Sequence, residues 1–126
     1  MSFGVLNVKT DNVIVNKSKA FAIRIVRLYQ YLCGEKREFV LSKQLLRSGT
    51  SIGANVKEAV RGQSKSDFIS KMSIALKEAS ETEYWLELLY ETDFLDRTQF
   101  DSIYADNQEL LKILTSIIKS SKEGRT

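Results

Sequence analysis

The chain has 126 residues, enough for one domain with a real core and too few for two. Hydrophobic residues make up 43% and charged residues 28%, with no proline and only six glycines, the profile of a globular chain poor in helix breakers. The absence of histidine and the single cysteine, Cys33, exclude the usual zinc ligand sets, Ser-His-Asp and Cys-His catalysis, and an internal disulfide.

The net charge of +3 is unevenly placed. Residues 1–62 carry eleven Lys/Arg and four Asp/Glu, a net +7, whereas residues 63–126 carry eight and twelve, a net −4. From Glu78 to Asp96 there are seven acids and no base. One basic and one acidic half point to self-complementary surfaces or a face for a polyanion. No apolar run approaches the roughly 18 residues of a membrane span, and the start "MSFGVLNVKTDN" lacks the pattern of a secretory signal. With one unpaired cysteine, the expected location is a reducing cytoplasm, with no membrane partner.

Residues 1–16 are expected to form an extended N-terminal segment, with the β-branched "NVIVN" (12–16) as a short strand. A first helix is predicted from about Lys17 to Cys33. Phe21, Ile25, Leu28 and Leu32 share its inner face, Arg24, Arg27 and Gln30 fall outside it, and Gly34 is placed just past its end. A second helix is predicted over about 40–61, on an inner stripe through Leu41, Leu45, Ser48, Ile52 and Ala59, with Gly62 terminating it.

Its middle, "SGTSIGANVKEA" (48–59), is rich in small residues. A phosphate loop needs Gly-x-x-x-x-Gly-Lys-Ser/Thr after a strand, and that pattern is absent. Gly49 and Gly53 instead stand one turn apart, and small residues at that spacing let another backbone come close. Each interior glycine costs about 1 kcal/mol against alanine. Either a neighbouring helix or subunit compensates, or the helix tolerates the irregularity. Arg47, Ser51, Asn55 and Glu58 form a polar line on the same helix. A network from Asn55 or Arg47 to the carboxylates of the third helix is one reading of it, and solvated charges are the other.

The third helix is predicted from about Asp67 to Tyr90, capped by Ser64 or Ser66. Phe68, Met72, Ala75, Ala79, Leu86 and Leu89 form its core face, with Glu78, Glu81 and Thr82 among them. "ETDFLDR" (91–97) connects it to a fourth helix running to about Ser120, for which "TQFD" (98–101) is the expected capping box. Residues 122–126 form a tail. Without histidine, Glu58, Glu78 and Glu81 do not make a ferritin-like di-metal centre, and "ETEYW" (81–85) comes with no nucleophile. Four such stripes joined by short turns bury best as an antiparallel up-down four-helix bundle over residues 17–121, an all-α fold.

The segments "FAIRIVRLYQYL" (21–32), "LSKQLLRSGTSIGANVKEA" (41–59) and "SKSDFISKMSIALKEASETEYWLELL" (64–89) resemble the four helix bundle protein family. That family includes the proteins encoded in 23S rRNA intervening sequences, and it is related to the accessory variability protein of diversity-generating retroelements. The resemblance spans most of residues 12–118. It implies an up-down bundle, assembly into a homopentameric ring, and no established activity. The retroelement relative has a basic surface and acts with a reverse transcriptase and nucleic acid.

Two functions follow as expectations. The first is a homo-oligomeric scaffold or adaptor, with Gly49, Gly53, Asn55, Glu58, Glu78 and Glu81 at helix-packing or subunit contacts. The second is an accessory factor for structured RNA or DNA, or for a nucleic-acid enzyme. Its phosphate contacts would come from Arg24, Arg27, Lys43, Arg47, Lys57, Arg61 and Lys65, with Lys36 and Arg37 beside them. Few aromatics lie near these positions, namely Tyr29, Tyr31 and Phe39. No enzymatic activity, cofactor, metal or small-molecule substrate is expected.

Overall fold

The computed structural model describes residues 8–124, with side chains described from residue 12. Four helices follow in order: α1 (Val8–Gly34), α2 (Leu41–Val60), α3 (Lys65–Glu91) and α4 (Arg97–Lys122). Each packs on its neighbours in sequence, and α4 returns to α1, so the chain closes an antiparallel up-down bundle. Packing is closest between α2 and α3 and loosest between α1 and α4.

Helix α1 corrects the expected strand. "NVIVN" is helical, and the helix starts nine residues before Lys17, at Val8. Ile14 is 0% exposed and continues the stripe of Phe21, Ile25 and Leu32. A β-branched residue loses a few tenths of a kcal/mol in a helix, whereas burying an isoleucine gains about 1.5–3 kcal/mol, so burial decides. Residues 1–7 of the expected extended segment lie outside the described residues, as do 125–126 of the tail.

The helix ends show which local signals operate. Gly34 is the last residue of α1 rather than the one beyond it. The left-handed turn conformation falls instead on Arg37, with φ 56. Helix α2 starts under the Glu38 carboxylate, which accepts from the backbone N–H groups of Val40 (3.1 Å), Leu41 (2.9 Å) and Ser42 (2.7 Å). The Ser42 hydroxyl donates back to the Glu38 carbonyl at 2.7 Å. Ser64 caps α3, accepting from the N–H of Asp67 at 3.0 Å.

The capping box of α4 lies two residues before "TQFD". The Asp96 carboxylate accepts from Gln99 N–H (2.7 Å), and the Gln99 side chain accepts from Asp96 N–H (2.9 Å). Asp96 offers the stronger acceptor and Gln99 completes the reciprocal pair, which leaves Thr98 inside the helix. Asp101 pairs instead with Arg97 one turn before it, at 3.2 Å.

The core runs the length of the bundle through Leu45, Ile52 and Val56 of α2, Phe68, Met72 and Leu86 of α3, and Leu110, Leu114 and Ile117 of α4. Leu95, from the turn after α3, is also buried there. At the α3–α4 seam Tyr90, Phe100 and Tyr104 stack, with ring centroids 4.5 and 4.6 Å apart.

Candidate nucleic-acid and subunit surfaces

Gly49 and Gly53 both face α1 of the same chain. A Cβ on Gly49 would lie 2.8 and 2.9 Å from the Cγ atoms of Ile25. One on Gly53 would lie 3.3 Å from the Ser18 carbonyl oxygen. The thinned middle of α2 thus admits α1, and the Ser18 backbone meets α2 at Gly53.

The polar line divides. Arg47 reaches α3, with Nη2 2.8 Å from Glu81 Oε2 and Nη1 4.0 Å from Glu78. Glu81 also accepts from the Trp85 indole N–H at 3.1 Å. Asn55 takes no part in this cluster, since its amide donates to the Ser51 carbonyl of its own helix at 2.8 Å. A short polar side chain one turn on finds that carbonyl nearer than any α3 carboxylate. Glu58 pairs with Lys71 of α3 at 2.9 Å. Deeper in the same seam, the hydroxyls of Thr82 and Ser48 lie 2.9 Å apart, fully buried, and Thr82 donates to the Glu78 carbonyl at 2.8 Å.

The basic candidates also fall into two groups. Arg24 is engaged across the α1–α4 seam, 2.6 Å from Asp106 and 2.9 Å from the Ser102 hydroxyl. Arg47 is engaged as described. Arg27, Lys43, Lys57, Arg61 and Lys65 make no ion pair among the described residues, and the first four are exposed. Lys57 and Arg61 are one turn apart on α2. They border a groove of about 420 Å³ with Lys19 of α1, floored by Ala22, Gly53 and Ala54. Among the described residues no acidic one lines this groove or the neighbouring one that Lys19 shares with Arg27.

Several features were missed in the sequence. Lys19 was not singled out, although it projects from the same side of α1 as Ile23 and Val26. Those two are 49% and 39% exposed, and Ile74 (38%) and Tyr84 (54%) are exposed on α3. Tyr104 places its hydroxyl 2.9 Å from Glu87 and 3.1 Å from Glu83. Burial raises its pKa well above the usual phenol value, and the two carboxylates raise it further. Burial also pushes the Glu38 carboxyl up, but its three backbone N–H donors outweigh this and leave it below the usual range. Glu38 carries no helical periodicity, and its place before "FVLS" is the one signal that marks it as a cap.

Among the described residues no group of three or more His, Cys, Asp or Glu is placed to hold a metal, and no helix is long and apolar enough to cross a membrane. The molecule belongs, as a class, with small up-down four-helix bundles. The model of the 23S rRNA-intervening sequence protein family matches residues 10–116, and the chain belongs to that family. A solved structure of a protein of unknown function from the S23 ribosomal protein family of Bacteroides thetaiotaomicron is similar to it at 60% identity and a TM-score of 0.86. That match covers 87% of this chain and 98% of the other. No curated protein matches the chain.

Proposed function

We propose that this protein is a non-enzymatic homo-oligomer that presents a basic α2 face to structured RNA. The observation that carries this reading is the division of exposed side chains among the helices. The outer side of α1 holds Ile23 and Val26 with Lys19 and Arg27. The outer side of α3 holds Ile74 and Tyr84 with the exposed Lys77 between them, and Glu87 and Glu91 one and two turns beyond Tyr84. α1 and α3 are not neighbours and stand at opposite corners of the bundle.

A contact between α1 of one copy and α3 of the next joins apolar to apolar, and it brings Lys19 and Arg27 to the end of α3 that carries Glu87 and Glu91. It is heterologous, so it repeats into a ring where the rotation closes. Five copies is the ring number that the family resemblance implies. Such a ring leaves α2 outside the contacts, and Lys43, Lys57 and Arg61 become a repeated basic band. Multiple weak phosphate contacts then sum through avidity. The family's connection with 23S rRNA favours RNA over DNA. The reading includes no catalytic step.

Light scattering of the full chain at physiological salt tests the assembly, with one oligomer expected and Ile23→Asp expected to dissociate it. Anisotropy with a structured rRNA fragment tests the second half, with binding expected at low salt and weakening as salt rises. A monomer at all concentrations overturns the ring. Absence of binding at low salt overturns the RNA role and leaves a protein scaffold.

A further inference from the structure

The turn between α1 and α2 carries two side chains that the bundle does not explain. Phe39 is 49% exposed and Val40 is 72% exposed, the largest exposure among the described large hydrophobic residues. They are adjacent, and they sit at one end of the bundle rather than along a helix face. The backbone that carries them is held firmly. Glu35 N–H donates to the Tyr31 carbonyl at 2.8 Å, and Glu38 N–H donates to the Leu32 carbonyl at 3.0 Å. The Glu38 carboxylate then binds the first N–H groups of α2.

Arg37 adopts φ 56, a conformation sparsely populated by residues with a side chain. In that conformation its guanidinium lies 5.2 Å from the centroid of the Phe39 ring. The turn thus fixes an aromatic ring outward with a cation already over it. Lys36 precedes the pair and Lys43 follows it one turn into α2, both exposed. Glu38 keeps its negative charge but turns it toward the first N–H groups of α2, and Glu35, exposed in the same turn, is the other acid there.

We infer that this turn is a stacking tip for an unpaired RNA base, with Phe39 as the platform and Arg37, Lys36 and Lys43 around its phosphates. The inference rests on the RNA reading above and names the part of the RNA that is read. Size decides against the other occupants. A phenylalanine offers about 150–250 Å², far below the roughly 800 Å² per partner of a stable protein interface. One ring and one valine are also too little apolar area for lasting membrane attachment. A single aromatic ring is enough for one base, and stacking does not depend on sequence.

The test uses a hairpin RNA with 2-aminopurine in its loop and a fully paired RNA of equal length. The wild-type chain should bind the hairpin more tightly and change the 2-aminopurine fluorescence. Phe39→Ala should weaken hairpin binding about tenfold, a stacking-sized loss, and leave duplex binding and the salt slope unchanged. Phe39→Trp should restore both affinity and fluorescence change. Phe39 is half-exposed, so circular dichroism of the variants should match the wild type. If the wild type binds both RNAs and Phe39→Ala alters neither, the tip is wrong and the RNA role stands. If the wild type binds neither RNA at low salt, the RNA role fails and the tip falls with it. Binding to phosphatidylserine vesicles that depends on Phe39, without an effect on RNA, would assign the turn to membranes and overturn the inference.

Discussion

Gly49→Ala puts the close packing of α1 on α2 to a quantitative test. At an exposed helical site this change stabilises by about 1 kcal/mol, because glycine is that much worse in a helix. Here the new Cβ would lie 2.8 Å from Ile25 Cγ1, 2.9 Å from Cγ2 and 3.1 Å from Cδ1. Ile25 is 0% exposed, and both Cγ atoms hang from its Cβ, so the side chain cannot swing its far end clear. The helices must separate instead, and overpacking of this kind costs about 1–3 kcal/mol. The net expectation is a loss of about 1 kcal/mol, or roughly 3–6 °C in Tm for a chain of this size.

The assay is guanidinium denaturation followed by circular dichroism, at one fixed protomer concentration. Ile25→Ala deletes all three crowding atoms and by itself costs about 2–5 kcal/mol. In that background Gly49→Ala should turn stabilising by about 1 kcal/mol. The double-mutant cycle then shows a coupling of about 2 kcal/mol. Gly34→Ala is the control, since nothing lies within 4 Å of the added methyl group, and it should stabilise slightly. Gly49→Ala stabilising equally in both backgrounds would refute the reasoning.

Three further outcomes are expected. Glu38→Ala should cost about 1 kcal/mol through removal of the cap. Its lowered folded pKa means that its contribution is present above the unfolded value of about 4.3 and is lost as pH falls through the folded one, so Glu38→Gln should flatten the acid limb of a stability–pH curve. Asp96→Ala should likewise cost about 1 kcal/mol by opening the capping box, measured by thermal unfolding. In RNA titrations against salt, Lys57→Ala with Arg61→Ala should flatten the log–log slope by roughly one unit for each phosphate no longer neutralised, whereas Arg24→Ala and Arg47→Ala should change it little, because their charges are already paired.

The bundle was legible because its inner stripes are long and uninterrupted. Phe21, Ile25 and Leu32, or Phe68, Met72, Ala75 and Ala79, recur at helical spacing, and no proline breaks them. The two misplacements have a common cause. At "NVIVN" and at "TQFD", local propensity and a cap pattern point one way, and the partner they compete with decides the other. Ile14 is drawn into the helix by a core that the local sequence does not display. Asp96 wins the cap from Thr98 because Gln99 stands at the right distance from it.

The surfaces were less legible, and the reason is electrostatic. The sequence showed which half of the chain is basic, but whether a cation is available depends on what stands opposite it on another helix. Arg24 and Asp106 are 82 residues apart, and Arg47 and Glu81 are 34 apart. Those pairings remove two of the seven proposed phosphate-binding residues from competition. The remaining cations then stand out against grooves that no acid among the described residues lines. Pairing reaches into the acidic stretch 78–96 at Glu81, which is held by Arg47 and Trp85, while Glu83 and Glu87 share the neutral Tyr104 hydroxyl and keep their charge. Internal pairing therefore thins the apparent dipole of the sequence on both sides. What is left exposed is a smaller set of cations on α2 and at the α1–α2 turn, Lys36, Lys43, Lys57 and Arg61, which no acid of another helix pairs among the described residues.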